Sequence, residues 1–259
     1  MPLSPPSSTY MEPWLQALVG DIEMPARFIR PSRYSVTGYV STKKAPTPQD
    51  AESSLEHDFF TLLNYDHRVE RFLAQPFTIN WRDKDGRRRR YTPDVIVKYG
   101  HLACLSQPYL RTTIFEVKPR AVLQQDWDEL RPKFRAAMGW ARQRNCCFHI
   151  VTEDEIRTPY LTNVKFLAGY MSHVLQERNH SLAGSRQELI RETLYRLKRT
   201  TPKALLSAMT AVQEHQAELL PWLWNLINCH AIGVDLAKPL TMASEIWTVD
   251  TPESMRYIK

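Results

Sequence analysis

Two β-prone runs constrain this chain more than anything else in it: Tyr91–Gly100, Y-T-P-D-V-I-V-K-Y-G, and Thr112–Pro119, T-T-I-F-E-V-K-P. Val95–Val97 and Ile114–Val117 read as strands, bounded by Pro and Gly. Buried strands tolerate carboxylates only where something partners them. Yet Asp94 heads the first run and Glu116 lies within the second. Glu116 and Lys118 are two residues apart, so the period of a strand points both off one face. If the two strands are neighbours, two carboxylates and an ammonium converge at the edge of one sheet.

The surrounding pattern is that of an α/β protein. Leu55, Phe59, Leu62 and Leu63 recur at helical spacing, with Asp50 or Ser53/Ser54 as the cap and an end near Asn64–Asp66. Glu56 sits at the margin of that apolar stripe. Phe77–Trp81 and Tyr91–Val97 flank an Asp85-Gly86 turn, which predicts a β-hairpin. Residues 122–144 carry a helical pattern that Pro132 starts or kinks, and Cys146–Val151 predicts a strand. Helix, hairpin, strand, helix, strand is a three-layer arrangement with a mixed central sheet.

After Thr158-Pro159 the pattern is almost wholly helical: 161–176, 185–198 with a Ser185/Glu188 capping box, 202–212 behind Thr201-Pro202, and 214–228. The β-like run that follows, with a turn near Lys238-Pro239, predicts a winged-helix-like module. Proline-rich residues 1–35 read as an arm with a short helix around Trp14–Val19. The expected division is therefore an arm at 1–35, an α/β domain at 36–175 and a helical domain at 176–259.

Composition excludes little. The net charge of +6 is mild for 259 residues, and no apolar run reaches membrane-spanning length. No signal pattern opens the chain, so the cytoplasm is the expected compartment. The four cysteines form no C-x-x-C pair, which argues against a zinc site and leaves them as small buried hydrophobes. His57 and His149 read as packing or solvated side chains, and Trp222 and Trp224 as core. Charge is concentrated at residues 82–90, where six side chains are basic and two acidic. Alone, such a run is a solvated hairpin tip; beside Asp94, it suits phosphate contacts by Arg87, Arg88, Arg89 and Arg90. Arg120, just past Lys118, is a further candidate contact.

The constellation fits hydrolysis of a phosphodiester. That reaction needs an activated water and neutralised charge on phosphorus, and hard divalent ions held by carboxylates supply both. Asp94 and Glu116 would be the ligands, with the Val117 carbonyl a third, and Glu56 would complete a second metal position or hold a metal-bound water. Lys118 would orient or deprotonate the water, or stabilise developing charge. Mg²⁺ is the expected ion, with Mn²⁺ as a substitute.

At this point the sequence resembles a known family, TnsA, the endonuclease subunit of heteromeric transposases, built on a PD-(D/E)-x-K restriction-endonuclease-like core. The similar pieces are V-T-G-Y-V-S-T-K-K (36–44), E-S-S-L-E-H-D-F-F (52–60), V-E-R-F-L-A-Q-P-F-T-I (69–79), R-R-Y-T-P-D-V (89–95), I-F-E-V-K-P (114–119) and T-N-V-K-F-L-A-G-Y (162–170). L-W-N-L-I-N…V-D-L-A-K-P-L (223–240) is similar too. The resemblance places the family's helical Glu on Glu56, its Asp on Asp94 and its Lys on Lys118. Glu116 falls on a position that some members fill with Gln, and Glu52 competes with Glu56.

The resemblance further implies Mg²⁺-dependent cleavage of one strand at each transposon end, liberating 5′ ends, in a bacterial, nucleoid-associated setting. A TnsB-like DDE transposase would cut and join the 3′ ends, and a TnsC-like AAA+ ATPase would dock on the C-terminal domain. Two other readings stand beside it: a stand-alone restriction or junction-resolving nuclease, and a catalytically silent DNA-binding adaptor.

Overall fold

The computed structural model describes residues 13–19, 38–40, 42–170 and 180–249. Most of the expected arm lies outside them, but its short helix is present as α1 (Pro13–Val19). The chain divides into two compact units, one ending at Ile156 and the other starting at Arg157.

The first unit is organised around a four-stranded mixed sheet. A two-stranded ribbon, β1 (Gly38–Val40) with β2 (Gln49–Ala51), leads into helix α2 (Ser54–Tyr65). Ser53 caps that helix: its Oγ accepts the Glu56 N–H at 3.1 Å, while Glu56 Oε2 accepts the Glu52 N–H at 2.9 Å. At the other end, the Lys44 ammonium donates to the carbonyls of Leu63 and Asp66, and burial pulls its pKa down to about 8. Next come β3 (Val69–Ala74), a separate hairpin of β4 (Ile79–Arg82) and β5 (Arg88–Tyr91), and β6 (Val95–Tyr99). The insertion after β6 forms α3 (His101–Ser106) before β7 (Thr113–Val117). Helices α4 (Arg120–Gln125) and α5 (Trp127–Gln143) then cross to β8 (Cys147–Val151), followed by α6 (Glu153–Ile156).

Sheet order is β3-β6-β7-β8, antiparallel except for β7 and β8. The parallel pair is what demands the long helical crossover. Helices cover both faces. Phe59 of α2 meets Phe115 edge-on at 5.1 Å, and on the opposite face Ala137, Trp140 and Ala141 of α5 bury Ile96 and Ile114.

Several expectations need correcting. The hairpin does not run on to Val97: the chain breaks at Thr92–Asp94, and β6 leaves the ribbon to join the main sheet. Pro93 has no N–H to give a ladder, and it biases Thr92 toward extended backbone. The expected helix over 122–144 divides at Asp126, whereas Pro132 lies inside α5 without ending it. Of the cysteines, only Cys146 is buried, and Cys229 is exposed.

The second unit holds α7 (Pro159–Ala168), α8 (His180–Leu197), α9 (Pro202–Met209) and α10 (Gln213–Asn228). A small antiparallel sheet, β10 (Ile232–Val234), β11 (Ile246–Thr248) and β9 (Arg199–Thr200), has β11 in the middle. Thr201 caps α9 and Pro202 occupies its first turn, as expected. Ser185 does not cap α8, because that helix is already formed at His180. The division at Ile156 also moves α7 out of the α/β domain, where a boundary at 175/176 had put it. Asn163 gives the reason. Its amide donates to the carbonyls of Leu236 (2.8 Å) and Lys238 (2.7 Å) and its oxygen accepts the Leu240 N–H (3.0 Å), binding α7 to the β10–β11 connection. Trp222 and Trp224 are buried core side chains. Among the described residues, no helix is long and apolar enough to cross a membrane.

Candidate active site

The ladder between β6 and β7 pairs Ile96 with Ile114 and Val95 with Phe115. Continuing that register by one residue sets Asp94 across from Glu116. Two carboxylates therefore face each other at one end of the central strands, where the β6–β7 ladder ends. Asp94 Oδ2 accepts the Val117 N–H at 2.7 Å, which locks the loop after Pro93 onto the end of β7.

Glu116 is 1 % exposed and fully occupied by side chains. Its Oε2 accepts the Tyr91 hydroxyl at 2.5 Å. Its Oε1 lies 3.2 Å from the Lys133 ammonium and 3.5 Å from that of Lys118. Tyr91 reaches it from the end of the basic hairpin and Lys133 from α5, so two elements besides its own strand fix one carboxylate.

The charges of Glu116, Lys118 and Glu56 all act on Asp94. Burial and then the Glu116 charge hold the Asp94 carboxyl well above the usual carboxylate range, with Lys118 opposing and Glu56 adding to the rise. Burial likewise raises Glu56. At Lys118, burial pulls the ammonium down, but Asp94, Glu116 and Glu56 together outweigh it, and its pKa ends above the ordinary lysine value. Lys118 in this state is a proton donor and a point charge. Tyr91 is pushed well above 10 by burial and by Glu116, so its hydroxyl keeps the proton that it donates.

Glu56 differs from the other three. Its Oε2 takes the Glu52 N–H, and its Oε1 pairs with Ser53 Oγ at 3.0 Å, so both oxygens serve the start of α2. Its charge is nonetheless felt by Asp94 and Lys118. Glu52 is linked to the site through that same backbone bond.

The donor chemistry can be tested against a divalent ion. Among the described residues, no three Asp, Glu, His or Cys side chains converge on one ion position. Mg²⁺ does not require that. It is usually held by one or two carboxylates, with water and substrate oxygens filling the octahedron. Asp94, Glu116 and the Val117 carbonyl fit that pattern, and a cation placed among Asp94, Glu116 and Glu56 would favour their ionised forms.

Arg89 is held by Asp83 at 2.9 Å, and Arg87 stands 4.0 Å from Asp85. Arg88 and Arg90, two apart on β5, share a face and are exposed. Arg120, expected as a phosphate contact, lies 2.9 Å from Asp154 in an exposed pair, and Glu153 accepts its backbone N–H. His149 stacks on Phe115 at 5.8 Å, away from any ligand role.

Sequence reading missed Tyr91 and Lys133 as site residues. Tyr91 carried a signal, since it opens the same run as Asp94. Lys133 carried none, because its place depends on how α5 crosses the sheet.

Comparison with known proteins identifies the family. Residues 66–153 match the family model described as TnsA-like endonuclease N terminal, and residues 155–236 match TnsA endonuclease C terminal. The seam between the two matches falls within three residues of the division at Ile156. No curated protein matches the chain. Two adjoining models of one family, in order and together covering well over half the sequence, agree with an α/β unit built on a mixed sheet: the chain belongs to the TnsA family, the endonuclease subunit of a transposase.

Proposed function

We propose that this chain is a divalent-cation-dependent endonuclease that cuts the strand liberating the 5′ end at each transposon terminus. It acts beside a TnsB-like DDE transposase, which processes the 3′ ends, and a TnsC-like AAA+ ATPase that docks on the second unit. The observation that carries this reading is the opposition of Asp94 and Glu116 beside Lys118 at the end of the central strands.

Mg²⁺, with Mn²⁺ as a substitute, would be held by Asp94, Glu116 and the Val117 carbonyl, and it supplies Lewis-acid polarisation of the phosphate and a more acidic water. The side chains do the rest. Lys118 places an ammonium where charge develops on the scissile phosphate. Tyr91 fixes the orientation of Glu116. Arg88 and Arg90 hold the backbone of the duplex without reading its bases, which leaves choice of site to the partners. Glu56 contributes charge from the end of α2.

The second unit has the helix and strand order of a winged helix, with the β10–β11 connection as the wing. Its α10, at the recognition-helix place, carries Glu214 and Glu218 and no Lys or Arg. That charge pattern supports protein docking over DNA reading.

Cleavage of a supercoiled substrate bearing transposon ends, with and without the partner transposase, tests the proposal. Lys118→Ala and Asp94→Ala should each lower 5′-strand cleavage by at least about 100-fold, the usual scale for losing one such group. Their circular dichroism should match the parent. Parental activity in either variant removes the assignment, and cutting by the purified chain alone would favour a stand-alone nuclease.

A further inference from the structure

Glu116 meets two ammoniums, and only one of them belongs to the expected site. Lys118 also interacts with Asp94 and Glu56. For Lys133 the anionic partner is Glu116, at 3.2 Å. The Lys133 ammonium is steadied there by two rings, lying 5.3 Å from the centroid of Tyr91 and 5.1 Å from that of Phe134. Its side chain keeps 25 % exposure, whereas that of Glu116 has 1 %.

The two oxygens of Glu116 have different fates when a cation arrives. Oε2 is held by a phenol that stays protonated, a bond compatible with a ligating carboxylate. Oε1 faces the ammoniums, so it is the atom available to a cation shared with Asp94. Two positive charges cannot both crowd that oxygen without repulsion. Lys118 is retained by three carboxylates; Lys133 has one, and an open path to water.

We infer that Lys133 is a built-in counter-ion of Glu116: it neutralises the buried carboxylate while no metal is bound, and an incoming divalent cation displaces it. This rests on the reading of Glu116 as a cation ligand. Lys133 is thus a positioning residue. It keeps a buried carboxylate paired and aimed, at the cost of competing with the ion.

Calorimetric titration of Mn²⁺ into the full chain without DNA separates the possibilities. Lys133→Met should lower the Mn²⁺ dissociation constant about five-fold, the factor to which about 1 kcal/mol of lost competition converts. Lys133→Arg, which keeps the charge, should bind like the parent. Because a buried carboxylate has lost one of its two ammoniums, Lys133→Met should melt below the parent in EDTA and recover most of that difference in Mn²⁺. Asp94→Asn is the control and should lose binding. If Asp94→Asn abolishes binding but Lys133→Met binds equally or more weakly, the counter-ion role is overturned and the metal reading survives. If the parent takes up no Mn²⁺, or Asp94→Asn binds as well as the parent, the metal reading fails instead.

Discussion

Asp94 is the residue whose environment is least comfortable, and that discomfort is measurable. Burial and the Glu116 charge hold its carboxyl above the ordinary range, so between the unfolded and folded pKa values the native chain retains a proton that the unfolded chain has released. Stability without metal must therefore fall as pH rises from about 4, the unfolded carboxylate value, through the higher folded value. Asp94→Asn removes the ionisation, and its amide oxygen can still accept the Val117 N–H. In EDTA at neutral pH the variant should melt about 2–4 °C above the parent, the shift that about 1 kcal/mol produces in a unit of this size. The gap should close toward pH 4.5, where both carry a neutral side chain, and Mg²⁺ should narrow it at pH 7.5 by stabilising only the parent. A variant that melts lower than the parent at neutral pH would show that the carboxylate is comfortable after all. A residue that lowers stability where it confers reactivity is a common signature of an active site.

Among elements, α2 poses the sharpest question, because Glu56 does two jobs at its first turn. As half of a reciprocal cap it contributes to the helix; as a charge it acts on Asp94 and Lys118. Gln at this position keeps the cap and removes the charge. Glu56→Gln should therefore leave the melting temperature near the parent's and lower cleavage at least about ten-fold, on the scale of a lost charge-assisted contact. Glu56→Ala should do both, losing about 1 kcal/mol of stability as well. Full activity in Glu56→Gln would reduce Glu56 to a cap. This duality also shows what a sequence can reveal. The apolar stripe of α2, the E-x-K spacing and the Asp85-Gly86 turn are local patterns, and each formed the element expected of it. Gly86 takes a φ of 78°, which the turn needs. The break after Tyr91, Lys133 beside Glu116 and the pairing of Arg120 with Asp154 are different in kind. They depend on which strand leaves a ribbon and how a helix crosses a sheet, and no window of residues contains that information. The S-x-x-E pattern at Ser185 failed for a related reason, since the helix had already begun upstream.

At the scale of the whole molecule, the distribution of charge decides where DNA can be held. The net charge of +6 is too small to grip a duplex unless it is concentrated, and residues 82–90 are where it concentrates. In the second unit, α9 and α10 carry Lys203 against Glu214 and Glu218. If the hairpin holds phosphates, Arg88→Ala with Arg90→Ala should weaken binding by similar factors on unrelated duplexes. It should also flatten the plot of log affinity against log salt by about 2, one counterion for each lost contact. Lys203→Ala in the same full chain should change neither quantity. Fluorescence anisotropy over a range of salt measures both, with thermal melts to confirm that β4 and β5 remain folded. The converse result, an unchanged slope in the arginine pair and a flatter one in Lys203→Ala, would move the DNA to the second unit and leave the docking reading of α10 without support. If the arginine pair alone sets the slope, phosphate grip belongs to the hairpin, and the face of α9 and α10, with one Lys against two Glu, is left for a protein.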